Sequence, residues 1–372
     1  MLERPLVVVT MMEHHSNLIP WMEAVGHHNL RAVRVDPATG ALDLSDLARV
    51  LETEGRRVRL VAVTGVSNVT GIVNPVHRIA AMAHAVGAQI LVDGAQWVPH
   101  ARVEMHGAEP GDSLDYLVLS GHKLYAPGSR GALIGSLETL SGRRCVTDVG
   151  GGMVEYVSIN DFEIKDDVAA REEAGTPNIP GSIAMGLVAE TLLRIGMDLV
   201  AEREHRLTEA LVRRLERVPK IHIYGSTDLD AVPRAGVVSF NIEGLRHGLV
   251  AAYLNDFHDI AVREGCFCAH PYVKALIGVD DQTEESYRQE MLCGDRRNVP
   301  GMVRASLGVY STADDVEALG AALERLVGRA DEMSARYRSG LDGTFRLADA
   351  PELPRTSSGA DDGERWRDGG AR

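Results

Sequence analysis

Three side chains at predicted strand ends could do chemistry together. The apolar run Gln89-Ile-Leu-Val92 stops at Asp93-Gly-Ala-Gln96, and the run Tyr116-Leu-Val-Leu119 stops at Ser120-Gly-His122-Lys123. Two strands thus deliver a carboxylate, an amide and an amine at their carboxyl ends, where open α/β sheets bind ligands. A carboxylate next to a lysine is the pair that pyridoxal phosphate chemistry needs. The amine condenses with the cofactor's aldehyde, the acid keeps the pyridine nitrogen protonated, and Gln96 could hold the phenolic oxygen. Lysine occurs only at Lys123, Lys165, Lys220 and Lys274 among 39 basic residues, so its place in a Ser-Gly-His-Lys turn is informative. The plain alternative is an ordinary surface Asp and Lys at loop starts.

The flanking elements are those that would position such a pair. Leu6-Val-Val-Val-Thr10, Ala32-Val-Arg-Val35 and Leu60-Val-Ala-Val63 read as strands. Val76, Ile79, Met82 and Ala83 share one face of a predicted helix from Pro75 to Ala85, with Gly87 as its stop. Strand, helix and strand in alternation predict an α/β fold with a mostly parallel sheet and helices on both faces. Ile183 to Gly196 and Leu199 to Val218 read as helices, the second with Val200, Leu207, Leu211 and Leu215 on one face. Pro219 ends it. Strands at Ile221 to Tyr224 and Val237 to Phe240, a helix near Gly248 to Phe257, and a helix start at Thr312-Ala-Asp-Asp315 complete a second unit. The expected division is a large domain over 1–196, a smaller α+β domain over 197–346, and a disordered tail over 347–372, where Pro, Gly, Ser and charge dominate.

Composition bounds the function. A chain of 372 residues with 45% hydrophobic content can bury a full core in two subdomains. Basic residues number 39 against 53 acidic ones, a net charge of −14, which argues against nucleic acid as the main partner. No apolar run reaches the ~20 residues of a membrane span, and the amino terminus lacks signal-peptide flanks, so a cytoplasmic location is expected. Cys145, Cys266, Cys268 and Cys293 show no disulfide-framework spacing.

Other polar groups are ambiguous on their own. His14 and His15 after the first strand could be a helix-start feature or partly buried histidines. Asn68 could close a turn or send its amide to a ring oxygen or a substrate carboxylate. Cys266-Phe-Cys268-Ala-His270 could hold a metal, although C-x-C-x-H fits zinc spacings poorly; the cysteines could equally be packing residues or a redox-prone pair. The turn from Tyr125 to Gly131 lacks the order of a nucleotide-phosphate loop.

Taken in order, Glu13-His14-His15-Ser-Asn17, Ser67-Asn68-Val-Thr-Gly71, Asp93-Gly-Ala-Gln96, Ser120-Gly-His122-Lys123 and Glu173-Ala-Gly-Thr176-Pro-Asn178 resemble the motifs of the class V aminotransferase superfamily, in its cysteine desulfurase and selenocysteine lyase branch. The resemblance runs from about Met12 to Leu326. It implies a type I fold of pyridoxal phosphate-dependent transferases, with Lys123 as the cofactor lysine. His14 would stack on the ring, Asp93 and Gln96 would hold its nitrogen and oxygen, and Ser120 and His122 would bind the phosphate. Thr176 would reach the phosphate of a neighbouring subunit, which implies a homodimer. Cys268 falls where desulfurases carry the thiol that takes substrate sulfur as a persulfide, with Cys266 extra. Arg304, with Asn68, would hold the substrate's α-carboxylate.

The resemblance therefore implies a pyridoxal phosphate-dependent lyase acting on L-cysteine or a related amino acid, serving a sulfur-acceptor protein. Two departures keep alternatives open. Tyr272 to Met302 is longer than the connection expected in sulfur-mobilising desulfurases, which fits a lid or a subgroup with another reaction, such as an aminotransferase, epimerase or C–S lyase. The family's front region, with its phosphate-binding loop, is not seen ahead of Glu13. That leaves a different start, a fragment, or a non-catalytic remnant of the fold as readings, and predicts exposed apolar surface that a partner or dimer would cover.

Overall fold

The computed structural model describes residues 5–141 and 149–349; Cys145 and positions 350–372 of the expected tail lie outside these. The first sheet holds β1 (Leu6–Thr10), β2 (Leu30–Val33), β3 (Val58–Thr64), β4 (Gln89–Asp93), β5 (Tyr116–Ser120) and β6 (Gly131–Gly135). Its order is β2-β1-β3-β4-β5-β6, parallel except for β6, which runs antiparallel to β5. The second strand lies slightly earlier than the Ala32 to Val35 pattern predicts, because Val35 leaves the ladder to form an isolated bridge with Leu42.

Side-chain alternation sorts each strand between two faces. Leu6 and Val8 enter the main core with Leu47 and Leu51 of α2 (Leu44–Glu54) and Ile79 and Ala83 of α3 (Val76–Ala85). Val7 and Val9 face the other way, onto Trp21 and Val25 of α1 (Ile19–Val25). Burying an aliphatic side chain of this size stabilises by roughly 1.5–3 kcal/mol, so the doubly covered strands read as continuous Val and Leu runs.

After α4 (Leu137–Ser141), the hairpin β7 (Val154–Val157) and β8 (Phe162–Ile164), and α5 (Val168–Arg171), two long helices follow, α6 (Ile179–Ile195) and α7 (Met197–Leu215). Gly196, at φ +96°, breaks one from the other. The second sheet is antiparallel, ordered β11-β12-β10-β9, from β9 (Ile221–Ile223), β10 (Val237–Ile242), β11 (Arg263–Gly265) and β12 (Met302–Ser306). It packs with α7, α8 (His247–His258) and α11 (Ala313–Gly328) around Leu211, Phe240, Leu254 and Leu323. Thr312 starts α11 with a capping box to Asp315. Between β11 and β12 the chain forms α9 (His270–Ile277) and α10 (Asp281–Leu292). Last come α12 (Ala330–Arg336) and a hairpin of β13 (Tyr337–Ser339) and β14 (Phe345–Leu347), so Leu347 is paired rather than the start of a disordered tail.

Among the described residues, no helix is long and apolar enough to cross a membrane.

Candidate functional site

Because β1, β3, β4 and β5 are parallel neighbours, their carboxyl ends lie side by side. His14 follows β1, Asn68 follows β3, Asp93 closes β4, and Ser120 closes β5 with His122 and Lys123 just beyond. A cleft of about 440 Å³ opens there, lined by His14, Ser16, Asp93, Ser120, His122 and Lys123, with Trp21 and Leu91 on its apolar side.

The turn after β5 is dictated by a close backbone approach. The Gly121 N–H donates to the Arg130 carbonyl at 3.0 Å, and a Cβ on Gly121 would sit 2.0 Å from Ser129 Oγ and 2.3 Å from that carbonyl oxygen. Only glycine fits, and the turn then aims Lys123 into the cleft. Ser120 Oγ lies 2.9 Å from His122 Nδ1. Burial lowers the Lys123 pKa; the Arg304 charge adds to this, and Asp93 and Cys268 oppose it.

His14 is tied by its own turn. The Ser16 N–H donates to its Nδ1 at 3.1 Å, which leaves the proton of the neutral ring on Nε2. Burial first, and then the Lys123 charge, lower its pKa, so the ring is neutral at neutral pH. Asp93 is buried and accepts from the Ala95 N–H at 2.9 Å.

The second sheet supplies the opposite side. Arg304 lies across from Arg263 in the β11–β12 register, and its Nη1 donates to the Asn68 carbonyl at 2.8 Å. Its Nε is buried without a partner, its guanidinium stands 5.2 Å over the Phe267 ring, and burial with the Arg263 charge lowers its pKa to about 10. Three consecutive carbonyls of the loop after β3 take donors from this side: Asn68 from Arg304, Val69 from Ser239 Oγ at 2.5 Å, and Thr70 from Arg234 Nε at 2.7 Å. The Asn68 amide itself donates to the Phe267 carbonyl at 2.8 Å.

Cys268 is exposed at the end of that contact, its carbonyl accepting from the His15 N–H at 2.7 Å. Phe267 and Cys268 both adopt left-handed backbone, φ +53° and +57°. For residues with a Cβ this costs about 1–2 kcal/mol each, offset by the carbonyl bonds just described.

Residues 2–319 match the family model described as aminotransferase class V. The chain belongs to the class V aminotransferase family. It is 34% identical over 322 residues to a cysteine desulfurase of Serratia proteamaculans, covering 86% of this chain and 70% of that protein. A cysteine desulfurase of Dickeya dadantii is 36% identical over the same length, with 86% and 69% covered. Among solved structures, the apo cysteine desulfurase of Thermococcus onnurineus superposes with a TM-score of 0.72 at 32% identity, covering 88% of this chain and 74% of that one. An S-sulfonic acid form of a cysteine desulfurase from Escherichia coli gives 0.68 at 27% identity, with 88% and 73% covered. The α/β architecture with its mostly parallel sheet is the fold of these class V neighbours.

Within this class V chain, the cleft gathers His14, Asp93, Ser120, His122 and Lys123. Asn68, Arg304 and Cys268 come together on the second sheet's side. Gln96 is half-buried in the turn after β4 and does not line the cleft. Thr176 is exposed and does not line it either; its loop is held by Asn178, whose Nδ2 donates to the Gly128 carbonyl at 2.7 Å. No residue of the segment 272–302 lines the cleft; Tyr272 and Val273 of α9 are instead buried in the main core. Among the described residues, no three His, Cys, Asp or Glu side chains gather as metal ligands.

The sequence reading passes over Glu13 and Asn17. Glu13 is buried, and its carboxyl accepts from Thr10 Oγ1 at 2.5 Å, Asn17 Nδ2 at 2.6 Å and the Thr64 N–H at 3.0 Å. Asn17 in turn accepts from Trp21 Nε1 at 3.1 Å. Burial outweighs these donors and raises the Glu13 pKa to about 8, with the Asp93 charge adding to it. The signal available was the Glu-x-x-x-Asn spacing inside the His14 motif, which puts both side chains on one side of the turn.

Proposed function

We propose that this chain is a pyridoxal phosphate-dependent cysteine desulfurase-like enzyme that takes sulfur from L-cysteine or a related amino acid onto Cys268. The observation that carries the reading is that Lys123 and Asp93 line one cleft with His14, while the neighbouring Asn68 bonds Arg304 and the Phe267 carbonyl, and the His15 N–H bonds the carbonyl of Cys268. Amine, acid, carboxylate-binding cation and thiol therefore converge on one place.

The donor set fits the cofactor. Asp93 suits a pyridine nitrogen, the Ser120–His122 pair and their turn suit a phosphate, His14 suits a ring face, and Lys123, its pKa lowered by burial, suits an aldehyde. Gln96 and Asn68 remain the proposed holders of the ring oxygen, and Thr176 that of a neighbouring subunit's phosphate. When bound, the cofactor supplies an electron sink for the bonds at the substrate's α-carbon. Lys123 and His14 Nε2 move protons at that carbon. Arg304 orients the α-carboxylate through its unpartnered Nε, with Asn68 beside it. The Cys268 thiolate attacks the substrate's sulfur, leaving a persulfide on Cys268 and alanine as product.

Exposure of Cys268 would let an acceptor protein's thiol reach that persulfide. A homodimer is supported by Ile179, Ile183 and Leu187, a row of exposed apolar residues along α6, and by exposed Tyr156, Val157 and Phe162 of the β7–β8 hairpin. The free thiols Cys266, Cys268 and Cys293 support a reducing, cytoplasmic setting. The large and small domains are taken to divide at 196/197.

The test is incubation of the cofactor-loaded protein with L-cysteine. Alanine should form with a persulfide trapped on Cys268, and Cys268→Ala should stop both. Undiminished alanine release by Cys268→Ala would favour the second reading, a class V lyase, epimerase or aminotransferase without sulfur transfer, which the helical segment α9–α10 beside the thiol makes worth testing.

A further inference from the structure

Two cysteines flank Phe267, and the geometry separates their roles. Cys268 is exposed, and its carbonyl is tied at 2.7 Å to the N–H of His15, the neighbour of the cleft residue His14. Cys266 is partly buried, and its Sγ lies 3.1 Å from the Pro300 carbonyl oxygen. A carbonyl only accepts, so the contact exists while the thiol keeps its proton.

Pro300 is not a loose partner. The carbonyl before it, on Val299, lies 3.2 Å from His247 Nε2, and the one after it, on Gly301, accepts from Asn241 Nδ2 at 2.9 Å. His247 Nδ1 is in turn 2.6 Å from Glu264, on the strand that leads into the cysteines. Gly301 passes so near that strand that a Cβ on it would stand 2.7 Å from Gly265 Cα. The loop closing the 272–302 segment is therefore fixed against β11, and Cys266 bonds to a fixed point.

The turn it joins needs holding. Two consecutive left-handed residues, Phe267 and Cys268, would relax to ordinary backbone if released. From the side of the first sheet, Asn68 holds the Phe267 carbonyl and the His15 N–H holds that of Cys268. The turn closes with the Ala269 N–H on the Cys266 carbonyl at 2.9 Å. The Cys266 thiol is the matching tie from the side of the 272–302 segment.

We propose that Cys266 is a positioning residue: its thiol proton, held on the Pro300 carbonyl, pins the turn that presents Cys268, and Cys266 itself accepts no sulfur from the substrate. The proposal deepens the reading of Cys268 as the sulfur acceptor and rests on it for its catalytic meaning. Burial pushes the Cys266 thiol up to about 11, the direction that keeps the donor protonated and unreactive. A sulfur-relay role would need the opposite, an ionised Cys266 turned away from Pro300.

The experiment is thiol labelling with iodoacetamide near neutral pH, read by peptide mass mapping, together with amide hydrogen exchange of the intact protein. In the unsubstituted protein Cys268 should label at least about tenfold faster than Cys266, since the thiolate is the reactive form. Cys266→Ala should raise exchange in 265–270 and 299–302 by about three- to tenfold, with the main core unchanged, and Cys266→Ser, which keeps a donor, should restore it. Cys266 labelling as fast as Cys268, exchange in Cys266→Ala equal to that of the unsubstituted protein, or sulfur trapped on Cys266 after cysteine treatment would overturn the proposal. Labelling and exchange need no turnover, so the predicted pattern in a protein that makes no alanine would refute the proposed reaction and leave the pinning role standing.

Discussion

Asn68 and Phe267 stand 199 positions apart in the chain, and the amide of the first donates to the carbonyl of the second at 2.8 Å. Arg304 closes the triangle, bonding the Asn68 carbonyl and lying over the Phe267 ring. One asparagine thus joins the sheet that carries the cleft to the turn that carries the thiol. Asn68→Ala leaves the Phe267 carbonyl without its donor, which should cost about 1–3 kcal/mol in denaturant unfolding. It should also speed alkylation of Cys268; an unchanged labelling rate would separate the thiol turn from this contact.

Glu13 gives the fold a pH dependence of defined sign. Its folded-state pKa, about 8, is above its ordinary value of 4.5, so between these the folded protein holds a proton that the unfolded chain has released. The stabilising contribution is complete below about 4.5 and is lost as pH rises through about 8, with a slope of at most about 1.4 kcal/mol per pH unit. Glu13→Gln cannot ionise and should flatten that slope. Chemical denaturation from pH 6 to 9 would show it, and equal slopes in both proteins would contradict the assignment.

Arg304→Lys keeps the charge and loses the planar fork and the bond to the Asn68 carbonyl. With the α-carboxylate held less well, KM for the amino acid should rise by about tenfold or more while cofactor absorbance stays intact. A KM within twofold would place carboxylate binding elsewhere.

Gly121→Ala tests whether the lysine turn is set by backbone approach. The added methyl meets Ser129 and the Arg130 carbonyl. Overpacking of this kind should cost about 1–3 kcal/mol and weaken cofactor retention. Unchanged stability would mean that the turn shifts freely.

How much of this was legible follows from how local each signal was. The runs ending at Asp93 and Lys123, the helix beginning after Pro75 and the Thr312 cap depend on neighbours in sequence, and each is found in the structure. What stayed hidden depends on distant partners. Neither the Asn68–Phe267 bond nor the tie from Cys266 to Pro300 follows from spacing along the chain. Helix α2 is the exception: its signal is local, an Asp43 cap followed by Leu44, Leu47, Val50 and Leu51 on one face, and the expectation omits it all the same, whereas α9 depends on the distant core that its Tyr272 and Val273 join. Glu13 looked like an ordinary charged residue beside two histidines; only the fold buries it.

Lys123 is proposed as the cofactor lysine of an assembled site. The direct measurement is visible absorbance of the purified protein given pyridoxal phosphate, before and after borohydride, followed by peptide mass mapping. A yellow band that borohydride bleaches should appear, with the cofactor fixed to the peptide containing Lys123 and lost in Lys123→Ala. A protein that takes up no cofactor, or fixes it to Lys165, Lys220 or Lys274 instead, would contradict it.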